Sequence, residues 1–386
     1  MRLGKYFLIL FIFLMTKISK AQSFDCTHLE WSTAAELMNG RRASIGFAGM
    51  AAGVSNDVLL LAGGANFPEK LPFLGGKKHF SDKIYVLEKE GNNFTWNEKN
   101  KMKLPVSIAY SGYSTTDKGL VIAGGDNAEG VSSKSFLLQW NKKKQMVDIK
   151  ILPDLPVALT APAATAVKNT VYVACGDEAA NSSDRFFTLD LSERNPKWTE
   201  LPKAPKALAN ASLINIQDKR LYLIGGRTKT SKGVSDLHSS VYYFDLEKKE
   251  WTQVADIFDG GTVTPFTATA AFAINNRFIL LSGGDKGDVF HRIENYFYEM
   301  AHAKSEIEKQ KLLAEKDELV MHHQGFSTDV LVYDTKEDKW SRIGAMPYAA
   351  QVTTSAVKWN DDLFICSGEI RPGVRSPKII KIKVNK

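Results

Sequence analysis

Val58-Leu59-Leu60-Leu61-Ala62-Gly63-Gly64 is an apolar run that closes on a glycine doublet, and the chain repeats it. Leu120 to Ile122 leads to Ala123-Gly124-Gly125, Val171 to Ala174 to Cys175-Gly176, and Leu221 to Ile224 to Gly225-Gly226. Phe278 to Leu281 leads to Ser282-Gly283-Gly284, and Leu363 to Cys366 to Ser367-Gly368-Glu369. Read with Cys175 in the first slot of the third doublet and Gly368-Glu369 as the sixth doublet, the copies recur at intervals of 61, 51, 50, 58 and 85 residues. The flanks recur too. A turn such as Asn56-Asp57, Asp117-Lys118-Gly119 or Asn360-Asp361-Asp362 precedes the run, as a tight hairpin requires. An aromatic-bearing β run follows it, for example Ile84-Tyr85-Val86 or Val241-Tyr242-Tyr243-Phe244. Trp96, Trp198, Trp251 and Trp340 come about one hairpin later, with Met146 taking that slot in the second copy.

Each unit therefore reads as four antiparallel strands, with the doublet on the second, the aromatic on the third and the tryptophan on the fourth. One such sheet cannot bury both faces alone, so the units must stack around an axis. Six copies with a base unit near 50 residues predict an all-β, six-bladed kelch-type β-propeller. Trp31 opens the chain on a fourth strand, and Lys378 to Val384 ends it on an unpartnered third strand. The last blade is expected to be completed by both termini, which removes the open edges. The long fifth interval predicts an insertion over about residues 287–325, in the blade of the fifth doublet. Its residues 294–320, rich in Glu, Lys, Ala and Leu without Gly or Pro, are expected to be helical, with the charges on a solvated face. A lid or a dimer contact is the other reading of that insertion.

With 44% apolar and 24% charged residues, the 386-residue chain has the composition of a self-folding globular protein rather than a disordered or membrane-embedded one. Residues 1–21 are set apart as a signal peptide: Arg2 and Lys5 precede the apolar run Tyr6 to Met15, and Ser19-Lys20-Ala21 supplies a cleavage site. Ten apolar residues are too few to span a bilayer, so export to the periplasm without a membrane anchor is expected, with residues 22–386 forming one propeller. Removing the four basic residues of that leader lowers the formal net charge from +7 to +3. The one basic run, Lys142 to Lys144, reads as a hairpin turn, so no nucleic-acid partner is implied. Cys26, Cys175 and Cys366 allow at most one disulfide; Cys175 and Cys366 end apolar runs and are expected to be buried free thiols.

In a four-stranded blade the loop from strand 2 to strand 3 and the loop to the next blade leave on the same face. Asn66, Asp126, Asp177, Glu178, Arg227, Asp285, Glu369, Arg371 and Arg375 are therefore expected around one mouth, with Arg41 and Arg42 nearby. Of these, Arg371, Arg227, Asn66, Asp126 and Arg42 are taken as substrate-binding candidates. Glu369 stands out because it places a carboxylate where the other copies have the second glycine of the doublet. Two arginines within six residues, on a loop stiffened by Pro372, could hold that acid ionised and bind an anion.

Gly368-Glu369-Ile370-Arg371-Pro372-Gly373-Val374-Arg375 resembles the Gly-Glu-x-Lys/Arg-Pro-Gly-x-Arg loop of N-acetylneuraminate epimerases, the sialic acid mutarotases, which are periplasmic kelch propellers. The likeness extends to Gly46-Phe47-Ala48-Gly49, Ser55-Asn56-Asp57, Ala62-Gly63-Gly64-Ala65 and Asn295-Tyr296-Phe297, and covers about residues 25–386. The segment order resembles the cyclically permuted branch, an order that adjacent termini make possible. The resemblance implies conversion of α-N-acetylneuraminate to its β anomer without a metal or other cofactor. It also implies Glu369 as catalytic acid/base, Arg375 as its paired arginine, and a small-molecule sugar acid as partner, with a homodimer as an open expectation. Ring opening needs a base for the anomeric hydroxyl proton and an acid for the ring oxygen, a task for a positioned carboxylate. A non-catalytic propeller that binds a sialylated glycan or a protein is the alternative. The sialidase boxes Ser-x-Asp-x-Gly-x-Thr-Trp are absent, and the histidines lack the spacing of a copper oxidase.

Overall fold

The computed structural model describes Phe24 and residues 29–385. The expected leader and Cys26 lie outside the described residues. Six antiparallel blades, each with four principal strands, surround a central channel, as expected; the first carries the extra short strand His79–Phe80 beside Val58–Asn66. The first is built from Ala48–Ser55, Val58–Asn66, Ile84–Glu90 and Asn93–Trp96. The fifth contains Ala270–Ile274, Phe278–Gly284, Ser327–Asp334 and Lys339–Ala345. In the sixth, Ser355–Trp359, Asp362–Arg371 and Val374–Val384 from the chain end are completed by Leu29–Glu36 from its beginning, through seven antiparallel register pairs.

The quoted stretch is apolar at every residue because both faces of its strand are covered. Successive side chains on a strand point to opposite faces. Val58, Leu60 and Ala62 accordingly pack against Leu120, Ile122 and Phe136 of the next blade, while Leu59 and Leu61 pack against Trp359, Phe364 and Ile379 of the last. The same division gives six apolar cores, each between two neighbouring blades. Four tryptophans add a polar stitch. The indole N–H groups of Trp96, Trp198, Trp251 and Trp340 donate to the carbonyls of Glu36, Pro153, Pro202 and Ala255, at or just past the outer strand of the preceding blade. The second blade differs from the sequence expectation. Its slot is filled by Val147, not Met146, and the tryptophan has crossed to the partner strand as buried Trp140, opposite Val147.

A ring of backbone hydrogen bonds ties the blades at the mouth. Each links a residue at the start of a blade's first strand to its equivalent one blade earlier: Tyr110 N to Gly49 O, Ala161 N to Tyr110 O, Asn210 N to Ala161 O, Ala268 N to Asn210 O, Thr353 N to Ala268 O, and Gly49 N to Thr353 O. The circuit closes after six bonds of 2.7–3.2 Å. All six residues are left-handed, with φ between 45° and 64°.

Backbone angles also correct the sixth doublet. First positions have φ near 60–70°, and Ser367 at 57° belongs with Gly63, Gly124, Cys175, Gly225 and Gly283. The second positions are Gly64, Gly125, Gly176, Gly226, Gly284 and Gly368, so the doublet is Ser367-Gly368 and glycine is kept in all six copies. Ser367 Oγ takes part in the joint, accepting from Phe47 N and donating towards Ser376 O. Glu369 therefore occupies the next position, equivalent to Ala65, Asp126, Asp177, Arg227 and Asp285. It breaks no glycine rule.

The doublet glycines are demanded by close approach as well as by φ. A Cβ on Gly225 would overlap the Phe266 carbonyl oxygen of the following blade, and φ there is 60°. Gly91 has φ 59° with open space around it. Gly91→Ala should cost about 1 kcal/mol and Gly225→Ala about 3 kcal/mol or more by denaturant unfolding, the difference measuring the clash alone. Equal losses would mean that the blade joint has room for a methyl group.

The insertion is helical as expected but consists of two helices, α1 (Asp288–Ala301) and α2 (Glu306–Met321). The break carries a signal that was legible: Ser305 Oγ caps α2 by accepting from Glu308 N, and Glu308 reaches back to Lys304 N. The charged face is not wholly solvated, since Lys316 is buried against Asp317 and over the Phe297 ring. Lys142 to Lys144 form the expected hairpin turn. Cys175 and Cys366 are buried free thiols, and burial pushes that of Cys175 up to about 12.

Candidate active site

Strand geometry places Glu369 and Arg375 opposite each other on the hairpin of Asp362–Arg371 and Val374–Val384. Arg375 Nη1 lies 2.9 Å from Glu369 Oε1, with side-chain exposures of 4% and 18%. The N–H directions miss the oxygen, so Nε and Nη1 of this buried guanidinium have no hydrogen-bond partner among the described residues. Glu369 Oε1 instead accepts from Gly373 N at 2.7 Å, which holds the carboxylate in the loop that Pro372 and Gly373 turn. The guanidinium plane sits 5.2 Å from the Phe67 ring centroid, an aromatic platform that holds a cation while leaving its N–H edge free.

Glu369 lines a cavity of about 250 Å³ with Arg227, Asp285, Asn210, Thr267, Thr353, Phe290, Ile293, His323 and Pro372 among its neighbours. Three consecutive blades supply Arg227, Asp285 and Glu369 from the equivalent position. Each is fixed by a reciprocal backbone pair, with Ala209, Thr267 and Val352 respectively, at 2.8–3.1 Å. The apolar wall comes from the insertion. Helix α1 contributes Phe290 and Ile293, and is fastened to the neighbouring blade where Glu294 accepts from Ser235 N and Oγ and His291 Nε2 meets Ser235 O.

Arg227 is anchored, with Nη2 2.6 Å from Asp177 Oδ2, while its buried Nη1 has no hydrogen-bond partner among the described residues. Asp177 in turn holds Lys229 and accepts from Ser182. Burial raises the pKa of the Asp285 carboxyl; the Gly287 amide opposes that and the charge of Glu369 adds to it. Burial lowers that of His323, with Arg371 adding to the effect.

The other candidates stand apart from this cluster. Asn66 is buried with its amide donating to Gly46 O at 2.9 Å, so it braces a loop. Asp126 sits across the mouth towards Lys78, its carboxyl raised by burial, and Oδ1 has no partner among the described residues. Arg371 is exposed, and its charge is felt by His323. Arg42 lies on the exposed hairpin Met38–Asn39 and Arg42–Ala43 and forms no ion pair with a described residue. The periodic pattern could not point to Tyr110. It is the one large side chain among the six ring-forming residues, with a phenol pushed up to about 12 by burial despite the nearby Arg375. Lys78 lies 5.2 Å over its ring. Among the described residues, no three His, Cys, Asp or Glu side chains group as a metal site.

Asp285 makes stability depend on pH. The folded state keeps its proton to a higher pH than the unfolded chain, so stability is lost as pH rises from the ordinary carboxylate range through the raised value. Asp285→Asn should remove that slope. Denaturant unfolding between pH 4 and 8 should therefore find the variant the more stable at pH 8 and level with wild type at pH 4.

A closed propeller whose mouth carries an arginine-paired carboxylate beside a second, unpaired carboxylate is suited to acid–base chemistry on a small polar ligand. The chain belongs to the N-acetylneuraminate epimerase family, whose sequence model matches residues 152–386. It is 26% identical to the N-acetylneuraminate epimerase of Haemophilus influenzae strain PittEE over 226 residues, 58% of this chain and 57% of that protein. It is equally similar to the Salmonella typhi protein of the same name over 232 residues, 60% and 57%. The matched stretch thus spans little more than half of these relatives. A solved structure titled "Structure of YjhT" aligns at 22% identity and a TM-score of 0.47, covering 58% of this chain and 62% of that one.

Proposed function

We propose that this chain is a mutarotase that takes α-N-acetylneuraminate towards the β anomer by opening and closing the sugar ring. The observation that carries the reading is the Glu369–Arg375 pair: a carboxylate and a buried guanidinium 2.9 Å apart, Glu369 lining a 250 Å³ cavity at the mouth, in a chain of this family. Glu369, held by Gly373 N–H and beside a fixed positive charge, takes the anomeric hydroxyl proton and returns it on closure. The unpartnered N–H groups of Arg375 and the free Nη1 of Arg227 are two cationic donors for the sugar carboxylate and for negative charge developing on oxygen. Phe290 and Ile293 offer an apolar wall to the acetyl methyl group.

Residues 1–21 are proposed as the leader that exports the chain, and the segment order as a cyclic permutation of the family's. A family match that begins at residue 152, and termini that meet in one blade, support the permuted order. The test is anomer exchange of N-acetylneuraminate followed by NMR with and without protein. The proposal expects exchange above the spontaneous rate; exchange at the spontaneous rate sinks it.

A further inference from the structure

We propose that Asp285 is a second catalytic carboxylate of this site, delivering a proton to the ring oxygen while Glu369 withdraws the one on the anomeric hydroxyl. The assignment rests on the mutarotase reading and adds the acid that one carboxylate does not supply in the same step. Asp285 and Glu369 occupy the same position in adjacent blades and line one cavity. Identical backbone pairing presents them, Asp285 with Thr267 at 3.0 and 3.1 Å and Glu369 with Val352 at 2.9 Å both ways.

Their surroundings separate their roles. Glu369 has Arg375, whereas the cation next to Asp285 is turned away: Lys286 Nζ is held by Asp259 and Asp329 at 2.8 Å each. Asp285 Oδ1 accepts from Gly287 N at 2.8 Å, and Oδ2 has no hydrogen-bond partner among the described residues. The charged and titratable groups that face it are Glu369 and Arg227 across the cavity, His323 beyond them, and Asp288 and His291 on α1. Burial, Glu369 and Asp288 favour the protonated carboxyl; the Gly287 amide and His291 oppose it. A carboxylate paired with an arginine, beside one that has no cationic partner among the described residues and whose pKa burial raises, is an arrangement that divides base from acid.

The step balances. The anomeric O–H proton passes to Glu369, the C–O bond to the ring oxygen breaks as the carbonyl forms, and that oxygen takes the proton of Asp285. After rotation about the bond next to the carbonyl, the hydroxyl attacks the other carbonyl face, returns its proton to Asp285, and the new anomeric oxygen recovers one from Glu369. Both side chains end as they began.

Asp285→Asn keeps an acceptor for Gly287 N and loses only the proton. Anomer exchange by NMR from pH 5 to 9 should show kcat reduced about 10²-fold with KM within about twofold, and the alkaline fall of kcat/KM abolished. Asp285→Glu should restore part of the rate. Undiminished exchange by Asp285→Asn, or an unchanged alkaline limb, overturns the proposal. A readout independent of activity is the Asp285 carboxyl followed by ¹³C NMR in wild type and Glu369→Gln. It should titrate above the ordinary carboxylate range and move down in the variant. A carboxyl inside that range and unmoved overturns the pairing even where wild type exchanges no sialic acid, an outcome that by itself overturns only the proposed function.

Discussion

Glu369→Gln should reduce the catalysed anomer exchange by about 10²–10⁴-fold, the contribution of one positioned acid/base. The substitution preserves shape and an acceptor for Gly373 N, so the hairpin is held while the proton carrier is lost. It also strands Arg375, whose side chain is 4% exposed, without its counter-ion. Removing one partner of a buried pair costs about 3–5 kcal/mol; the partial exposure of Glu369 and the Phe67 platform reduce that here to about 1–2 kcal/mol. The rate loss should therefore come with a modest fall in thermal stability. Arg375→Lys tests the other half: a point charge keeps the ion pair but not the planar fork on Phe67, and KM should rise as well as kcat fall. A Glu369→Gln enzyme with wild-type exchange would remove this residue from the mechanism.

The largest stability effect is expected from removing the strand Leu29–Glu36. A chain that starts at Leu37 loses the seven register pairs that close the sixth blade, and the packing of Trp31 and Leu29 against the core of Ile380 and Ile382. At about 0.5–1.5 kcal/mol for each hydrogen bond and about 2 kcal/mol for a large apolar side chain, the loss is on the order of 10 kcal/mol. It also bares the edge of Val374–Val384, a row of unpaired backbone groups ready to join another copy. Thermal unfolding should move down sharply and size-exclusion chromatography should show self-association. A monomer of unchanged stability would mean that three strands suffice for the closing blade. Since Glu369 and Arg375 stand on the two strands beside this edge, loss of activity should accompany the loss of closure.

The two effects show where sequence and tertiary structure each decide. Covalent order alone specifies the blades. A run such as Val58 to Ala62 is apolar throughout because it is buried on both sides, and the doublets and recurring tryptophans repeat because every blade meets its neighbours in the same way. The closing blade was legible for the same reason: a lone fourth strand at one end and a lone third strand at the other have no other partner. The site was only partly legible. Glu369 and Arg375 stand in one short loop, but the pattern of letters put Glu369 in a glycine position, and only the φ angles moved the doublet to Ser367-Gly368. That shift matters, because it makes Asp285 and Arg227 its equivalents in neighbouring blades, 84 and 142 residues away in the chain.

Tyr110, Phe67 and the walls from α1 carry no periodic signal at all. Their relation to Glu369 exists only when six blades close a ring and bring loops from distant blades to one mouth. Local physics, the alternation of strand faces and the chirality that reserves left-handed angles for a few residues, settles the fold from the sequence. The site depends on closure, which no local stretch contains.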